Sequence, residues 1–214
     1  MIETGFGIIL RTRPLTDTSL IVNWLTAEHG RLSTVAKGAR RGKSSFQGKL
    51  DLFFEGELSF QRSSRSELHA LREVMIHETH SQLRTDLAGL NQAAYGVAFL
   101  EQMTEVQTPI PELFELVIGY IRHLASQSVR PRNVFAFELK FLVTLGLEPD
   151  WKGQGTSLEM QGLAEALIRA PWTELTELQP NGRAVRELQS FLHGFILQHC
   201  GKIPRGRAEA LGTG

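Results

Sequence analysis

The hydrophobic period changes once along this chain, near His80, and that change limits what the chain can fold into. Before it, apolar residues alternate with polar ones, as on half-buried strands. After it they recur every three or four residues, as on helices. Phe6–Arg13 is apolar and β-branched, and it ends at Pro14. Thr18–Thr26 places Leu20, Val22 and Trp24 on one face. Ala27-Glu28-His29-Gly30 reads as a turn in which Gly30 supplies a positive φ. Arg31–Lys37 is a third strand, Leu50–Phe60 a fourth and Leu68–Ile76 a fifth. Five strands joined by short turns within residues 5–77 suit a small antiparallel barrel of the OB type better than a sandwich. The expected fold class is therefore α+β: an N-terminal five-stranded barrel over residues 1–79, followed by an all-α part over 80–214.

The second part reads as a series of helices. Asp86–Met103 sets Leu87, Leu90, Ala94, Val97 and Leu100 on one stripe, with Asp86 as the cap. Leu113, Leu116, Val117, Tyr120, Ile121 and Leu124 form a second stripe after Pro109 and Pro111. Pro131 opens a third helix and Gly146 stops it. This helix is apolar nearly all round, so it belongs at the centre of the helical part. Leu158–Ala170 and Arg183–Cys200 complete the set, and Lys202 to Glu209 reads as a polar, basic tail.

Composition narrows the function classes. The chain has 214 residues, of which 42% are hydrophobic, so it is not disordered as a whole. Its single cysteine, Cys200, forms no disulfide within the chain, contributes to no four-cysteine zinc site, and is expected to be a buried structural thiol. This usage suits a reducing compartment. No run approaches the ~20 apolar residues of a membrane span, and the N-terminus lacks a signal-peptide pattern. A soluble, cytoplasmic protein is expected. His77-Glu-Thr-His80 is one residue too short for the zinc-protease motif, and His193 and His199 lie on different faces of their helix. The carboxylates show no paired pattern. Neither a metal, a cofactor nor an enzyme is expected.

Charge is informative in one place. The chain is neutral overall, yet residues 31–49 hold six basic side chains and no acidic one. Gly38, Gly42 and Gly48 interleave with Lys37, Arg40, Arg41, Lys43 and Lys49. The pattern fails as a P-loop: three residues separate Gly38 from Gly42 where four are needed, and no helix pattern follows. It fits a basic loop on a barrel, in which glycine lets the backbone approach phosphates and Ser44 and Ser45 donate hydrogen bonds. Phe46 is then a candidate to stack on a base. Arg11 and Arg13, one residue apart on the first strand, extend the surface. The alternative for each of these residues is an ordinary solvated surface.

The order of features also resembles the RecO family of bacterial recombination mediators. The residues that carry the resemblance are Gly7-Ile-Ile-Leu-Arg-Thr-Arg-Pro14, Thr18–Val22, Leu25–Arg31, Val35-Ala-Lys-Gly-Ala-Arg40, Phe46–Leu50 and Leu71-Arg-Glu73. Leu87–Tyr95, Glu112-Leu-Phe114, Phe137–Gly146 and Cys200–Arg207 fit its helical part. The resemblance implies an OB-fold and a helical domain. It implies binding to single- and double-stranded DNA and annealing of complementary strands. It further implies partnership with RecR and with the C-terminal tail of single-stranded-DNA-binding protein (SSB), and indirectly with RecA. Many members carry four zinc-binding cysteines after the segment equivalent to Leu145–Pro149. Here Asp150-Trp-Lys-Gly-Gln-Gly-Thr156 stands there, so zinc is not carried over and 148–157 is expected to be a degenerate insertion.

The expected DNA-contact residues are thus Lys37, Arg40, Arg41, Lys43 and Lys49, with Arg11 and Arg13 beside them. The basic face would hold one strand and screen its repulsion from a second, and an apolar groove in the helical part would receive the SSB tail. A non-catalytic protein-interaction adaptor with incidental nucleic-acid binding is the rival reading. The net negative charge of residues 81–150 is compatible with it.

Overall fold

Side chains that alternate between two environments close the N-terminal strands into a barrel. The computed structural model describes residues 1–151 and 155–213. Its strands are β1 (Ile2–Pro14), β2 (Leu20–Thr26), β3 (Gly30–Ala36), β4 (Glu55–Gln61) and β5 (Leu68–Glu78). They pair in the closed order β1-β2-β3-β5-β4, with β3 parallel to β5 and the other pairs antiparallel. This is the strand order of an OB-fold. Strand β1 is long enough to serve two neighbours: residues 2–8 pair with β4 and residues 7–14 with β2. A bulge between Ile9 and Arg11 lets it bend from one to the other.

The barrel interior is filled by Ile9, Val22, Trp24, Leu32, Ala36, Phe46, Phe54, Leu58, Phe60, Leu71 and Val74. The one indole N–H inside it is satisfied: Trp24 Nε1 donates to Thr34 Oγ1 at 2.9 Å. Glycine is required where β4 meets β5, because a Cβ on Gly56 would lie 2.1 Å from the Met75 carbonyl oxygen. At the end of β5, His80 Nε2 contacts Glu55 Oε1, and both side chains are buried.

Two sequence expectations need correction here. The fourth strand begins at Glu55, not Leu50. Leu50 packs on the core from a stretch of turns, and Phe53 adopts φ 64°, outside any strand conformation. The chain after Cys200 is not an open tail, because Arg207–Leu211 is helical and Arg207 is buried.

The helices are α1 (Leu87–Met103), α2 (Pro111–Ser126), α3 (Pro131–Thr144), α4 (Leu158–Arg169), α5 (Gly182–Cys200) and α6 (Arg207–Leu211). Short 3-10 segments span Ser81–Thr85 and Trp172–Glu177. Asp86 caps α1 by accepting the Ala88 amide at 3.0 Å. Ser157 caps α4, and Asn181 caps α5. The all-round apolar helix is central: α3 contacts α1, α4, α5 and α6. Its two interior charges have partners. Glu138 accepts from Arg207, and Lys140 Nζ donates to the Ile168 and Ala170 carbonyls at 2.6 and 2.7 Å. Cys200 is half-buried, with its Sγ 2.9 Å from Met103 Sδ.

The chain divides into two compact units. One contains Met1–His80 and Thr104–Ile118, and the other Ser81–Met103 and Gly119–Gly214. In the barrel unit the segment after α1 lies along β3. Val106 forms a parallel bridge with Arg31, and the Gln107 amide donates to the Arg31 carbonyl at 2.7 Å. Of the expected 148–157 insertion, residues 152–154 lie outside the described residues. Beside them Trp151 is buried against Phe191, with ring centroids 5.1 Å apart. No helix of the described residues is long and apolar enough to cross a membrane.

Candidate nucleic-acid interface

Strand β3 ends at Ala36, and the chain then makes a succession of tight turns before β4. The Arg41 amide donates to Gly38, Ser44 to Arg41, Gln47 to Ser44 and Lys49 to Phe46, at 3.0–3.2 Å. Two positions of this segment need left-handed backbone and are glycine: Gly38 and Gly48 both have φ near 71°. Gly42-Lys43-Ser44 falls inside these turns and opens no helix, which removes the structural context a P-loop needs.

The loop is held at two points. Phe46 enters the barrel core and is 8% exposed. It is therefore an anchor, and the expectation that it stacks on a base is corrected. Arg40 is the second point. Its amide donates to the Thr18 carbonyl at 3.0 Å and its guanidinium to the Thr16 carbonyl at 3.4 Å. The Gly38 amide reaches Ser19 Oγ at 3.4 Å. The β1–β2 loop that receives these bonds is ordered in turn by Thr16 Oγ1, which accepts from the Thr18 and Ser19 amides.

These bonds seat the basic loop on the β1–β2 loop, into which the strand that carries Arg11 and Arg13 leads. These two pair with Asn23 and Ile21 of β2, both outward positions, and both arginines are exposed. Lys37, Arg40, Arg41 and Lys43 are exposed as well. Lys49 is placed differently. It is half-buried and lines an open groove of about 730 Å³ shared with Glu28, Glu57, Glu73, Phe6 and Arg72. Three carboxylates beside it make that groove a poor seat for phosphate.

Sequence reasoning missed the role of Thr16, Thr18 and Ser19. Their run of hydroxyl residues around Asp17 is the composition of a self-bonded turn, and that was the available signal. It also missed how other arginines of the barrel are engaged. Arg62 makes a two-bond pair with Glu3, at 2.7 and 2.8 Å, and donates to Gln107 Oε1 at 2.7 Å. This bonding holds the Glu3 carboxyl below its ordinary range. Arg31 Nε donates to Thr104 Oγ1 at 2.9 Å.

The helical unit carries a second feature, a cleft of about 390 Å³. Phe135, Leu163, Leu167, Leu178 and Val185 form its apolar wall, and Arg130 and Arg132 stand at the start of α3. Among the described residues, no group of three His, Cys, Asp or Glu side chains is placed to hold a metal ion.

A closed barrel in OB strand order, bearing a basic loop and followed by a helical unit, defines a protein of the OB-fold class. Comparison with known proteins makes this specific. Residues 1–80 match the family described as Recombination protein O N terminal, and residues 84–157 match Recombination protein O C terminal. The DNA repair protein RecO of Bacillus pumilus is 33% identical over 150 residues, covering 70% of this chain and 58% of that protein. The RecO protein of Anaeromyxobacter sp. (strain K) is 33% identical over 143 residues, covering 67% and 56%. That of Geobacter sulfurreducens is 30% identical over 140 residues, covering 65% and 57%. The chain belongs to the RecO family of DNA repair proteins. The matched part spans somewhat more than half the length of these relatives.

Proposed function

We propose that this chain is a non-catalytic recombination mediator. Residues 1–79 supply the strands of its nucleic-acid-binding domain, with 104–118 belonging to the same unit, and the rest of 80–214 is its helical domain. It binds single- and double-stranded DNA, anneals complementary strands and, with RecR, helps load RecA onto SSB-coated single strands. One observation carries the reading: the basic β3–β4 loop is bonded through Arg40 to the β1–β2 loop, and Arg11 and Arg13 stand exposed on the strand that leads into that loop. A loop whose backbone is already held by hydrogen bonds loses less entropy on binding phosphate than a free one. Phosphate contacts carry no base information, so the surface suits any sequence.

The cleft of the helical unit supports the second half of the reading. An apolar wall with two arginines at its edge complements a peptide that ends in apolar residues and carries acidic ones. We assign it to the SSB tail. Recruitment to coated DNA then raises the local concentration of the barrel on the strand.

The test is annealing of two complementary SSB-coated strands, with and without RecR. Wild type should anneal them. A folded variant with Lys37, Arg40, Arg41 and Lys43 all replaced by Ala should not. A wild type that anneals nothing, but still binds a protein partner, would establish the adaptor instead.

A further inference from the structure

We infer that this barrel grips a single strand by its sugar–phosphate backbone and leaves the bases facing solvent. The inference rests on the DNA-binding reading above and names the part of the strand that is held.

Barrels of this fold that sequester single strands take bases onto open aromatic rings, around the outer face of the second and third strands and the flanking loops. Here the outward positions of β2 and β3 are Ile21, Asn23, Leu25, Arg31, Ser33 and Val35. None is aromatic. Ile21 and Leu25 are 5% and 4% exposed, so that part of the face is closed. Along β3, Arg31 is engaged by Thr104 and Gln107 of the same unit, through its guanidinium and its carbonyl. The usual platform for bases is therefore absent from this face.

The rings of the unit lie elsewhere. Trp24, Phe46, Phe53, Phe54, Phe60 and Phe114 are all buried. Phe6 is half-buried, but its ring lies edge-on to Phe114 at 6.2 Å and against His77 at 5.6 Å. It also lines the groove that holds Glu28, Glu57 and Glu73. Among the described residues of this unit, no Phe, Tyr or Trp ring is exposed, and the exposed imidazole of His77 lies 3.4 Å from the Glu57 carboxylate. What the loop does offer is Lys37, Arg41 and Lys43 on a backbone fixed by consecutive turns and by Phe46.

Cations without rings bind phosphates and leave bases unstacked on protein. A base that faces solvent is free to pair. A base lying on a ring must first be released. The arrangement therefore suits a protein that neutralises one strand while a complementary strand zips onto it.

The experiment compares two oligomers of equal length and phosphate number, one of thymidines and one wholly abasic, by fluorescence anisotropy with the full chain. The expected dissociation constants agree within about twofold, with equal salt dependence. Loss of even one stacked base would weaken the abasic oligomer about fivefold or more, and that result overturns the inference. As a second readout, thymines in the bound strand should react with permanganate at nearly the free rate. Tenfold protection would also overturn the inference. Binding of the thymidine oligomer alone sinks this inference and leaves the DNA-binding reading standing. Binding of neither sinks both.

Discussion

Arg207 and Glu138 form a two-bond ion pair sealed inside the helical unit. Nε lies 2.7 Å from Oε1 and Nη2 2.9 Å from Oε2, and the side chains are 6% and 0% exposed. Glu138 Oε1 also accepts the Tyr95 hydroxyl. The carboxylate thus ties α1, α3 and α6 together. Gln92 and Gln102 of α1 add bonds to the Ala210 and Lys202 carbonyls of the returning chain.

Removing one partner leaves the other charge buried and alone. Arg207→Ala should therefore cost about 3–5 kcal/mol, read as a lowered urea midpoint. The double change Glu138→Leu with Arg207→Met should cost far less, because an apolar pair of similar volume carries no desolvation penalty. A single variant as stable as wild type would show that water reaches the pair.

Phe46 separates an anchor from a base-stacking residue. Phe46→Ala should lower stability by about 3 kcal/mol, since it removes a ring from the barrel core. The turns on either side should then exchange their amide protons faster. A stacking residue would instead leave stability unchanged and weaken DNA binding alone.

The two kinds of basic position should differ in their salt response. If about five phosphates are neutralised, log K should fall with log salt at a slope of roughly −3.5 for single strands. Arg41→Ala should reduce the magnitude of that slope by about 0.7. Lys49→Ala should leave it unchanged, because Lys49 shares its groove with Glu28, Glu57 and Glu73. Equal effects of the two substitutions would place both side chains on the strand.

Alternation revealed the barrel because most strands have one face in the core, and Pro131 and Gly146 revealed α3 because both act on the local backbone. Gly146 indeed has φ 72°. The basic loop was legible as a charge excess. Its attachment to the β1–β2 loop was not, because that depends on carbonyls of Thr16 and Thr18 that are distant in sequence. Leu50, Phe53 and Phe54 misled because periodicity reports burial rather than extension. The Phe53 amide donates to the Ile9 carbonyl and the Ile9 amide to the Phe54 carbonyl, yet Phe53 has φ 64°, so Phe53 and Phe54 reach the barrel from a turn and not from a strand. Arg207 misled for a similar reason. A charge near the end of a sequence reads as solvated, and its partner lies 69 residues earlier.

Gly30 has a local and a tertiary role. Its φ of 64° favours glycine, and an added Cβ would lie 2.4 Å from the Thr108 carbonyl oxygen. Left-handed backbone alone costs about 1–2 kcal/mol for other residues, and the overlap adds to it. Gly30→Ala should therefore lower the melting temperature by several degrees. Ala27→Gly in the same turn gives the comparison, since it introduces no Cβ. Equal loss in both variants would assign the effect to the turn rather than to the contact with Thr108.

Stability should also fall in mild acid. Burial, followed by the nearby Arg62 charge, lowers the pKa of His69 from its ordinary value of 6.5. Burial also lowers that of His123. The geometry at His69 agrees, because its Nδ1 accepts the Ser63 amide at 3.3 Å and so must be unprotonated. The unfolded chain then binds protons at a higher pH than the folded one. Stability is fully present above about pH 6.5 and declines as pH falls through the lowered folded values. Urea midpoints should therefore drop between pH 7.5 and 5.5, well before the carboxylates titrate. Replacing His69 with Gln, which keeps an acceptor without a titrating ring, should flatten part of that slope. An unchanged pH profile in His69→Gln would mean that the ring protonates in the folded barrel without penalty, and that the Ser63 contact is not maintained in solution.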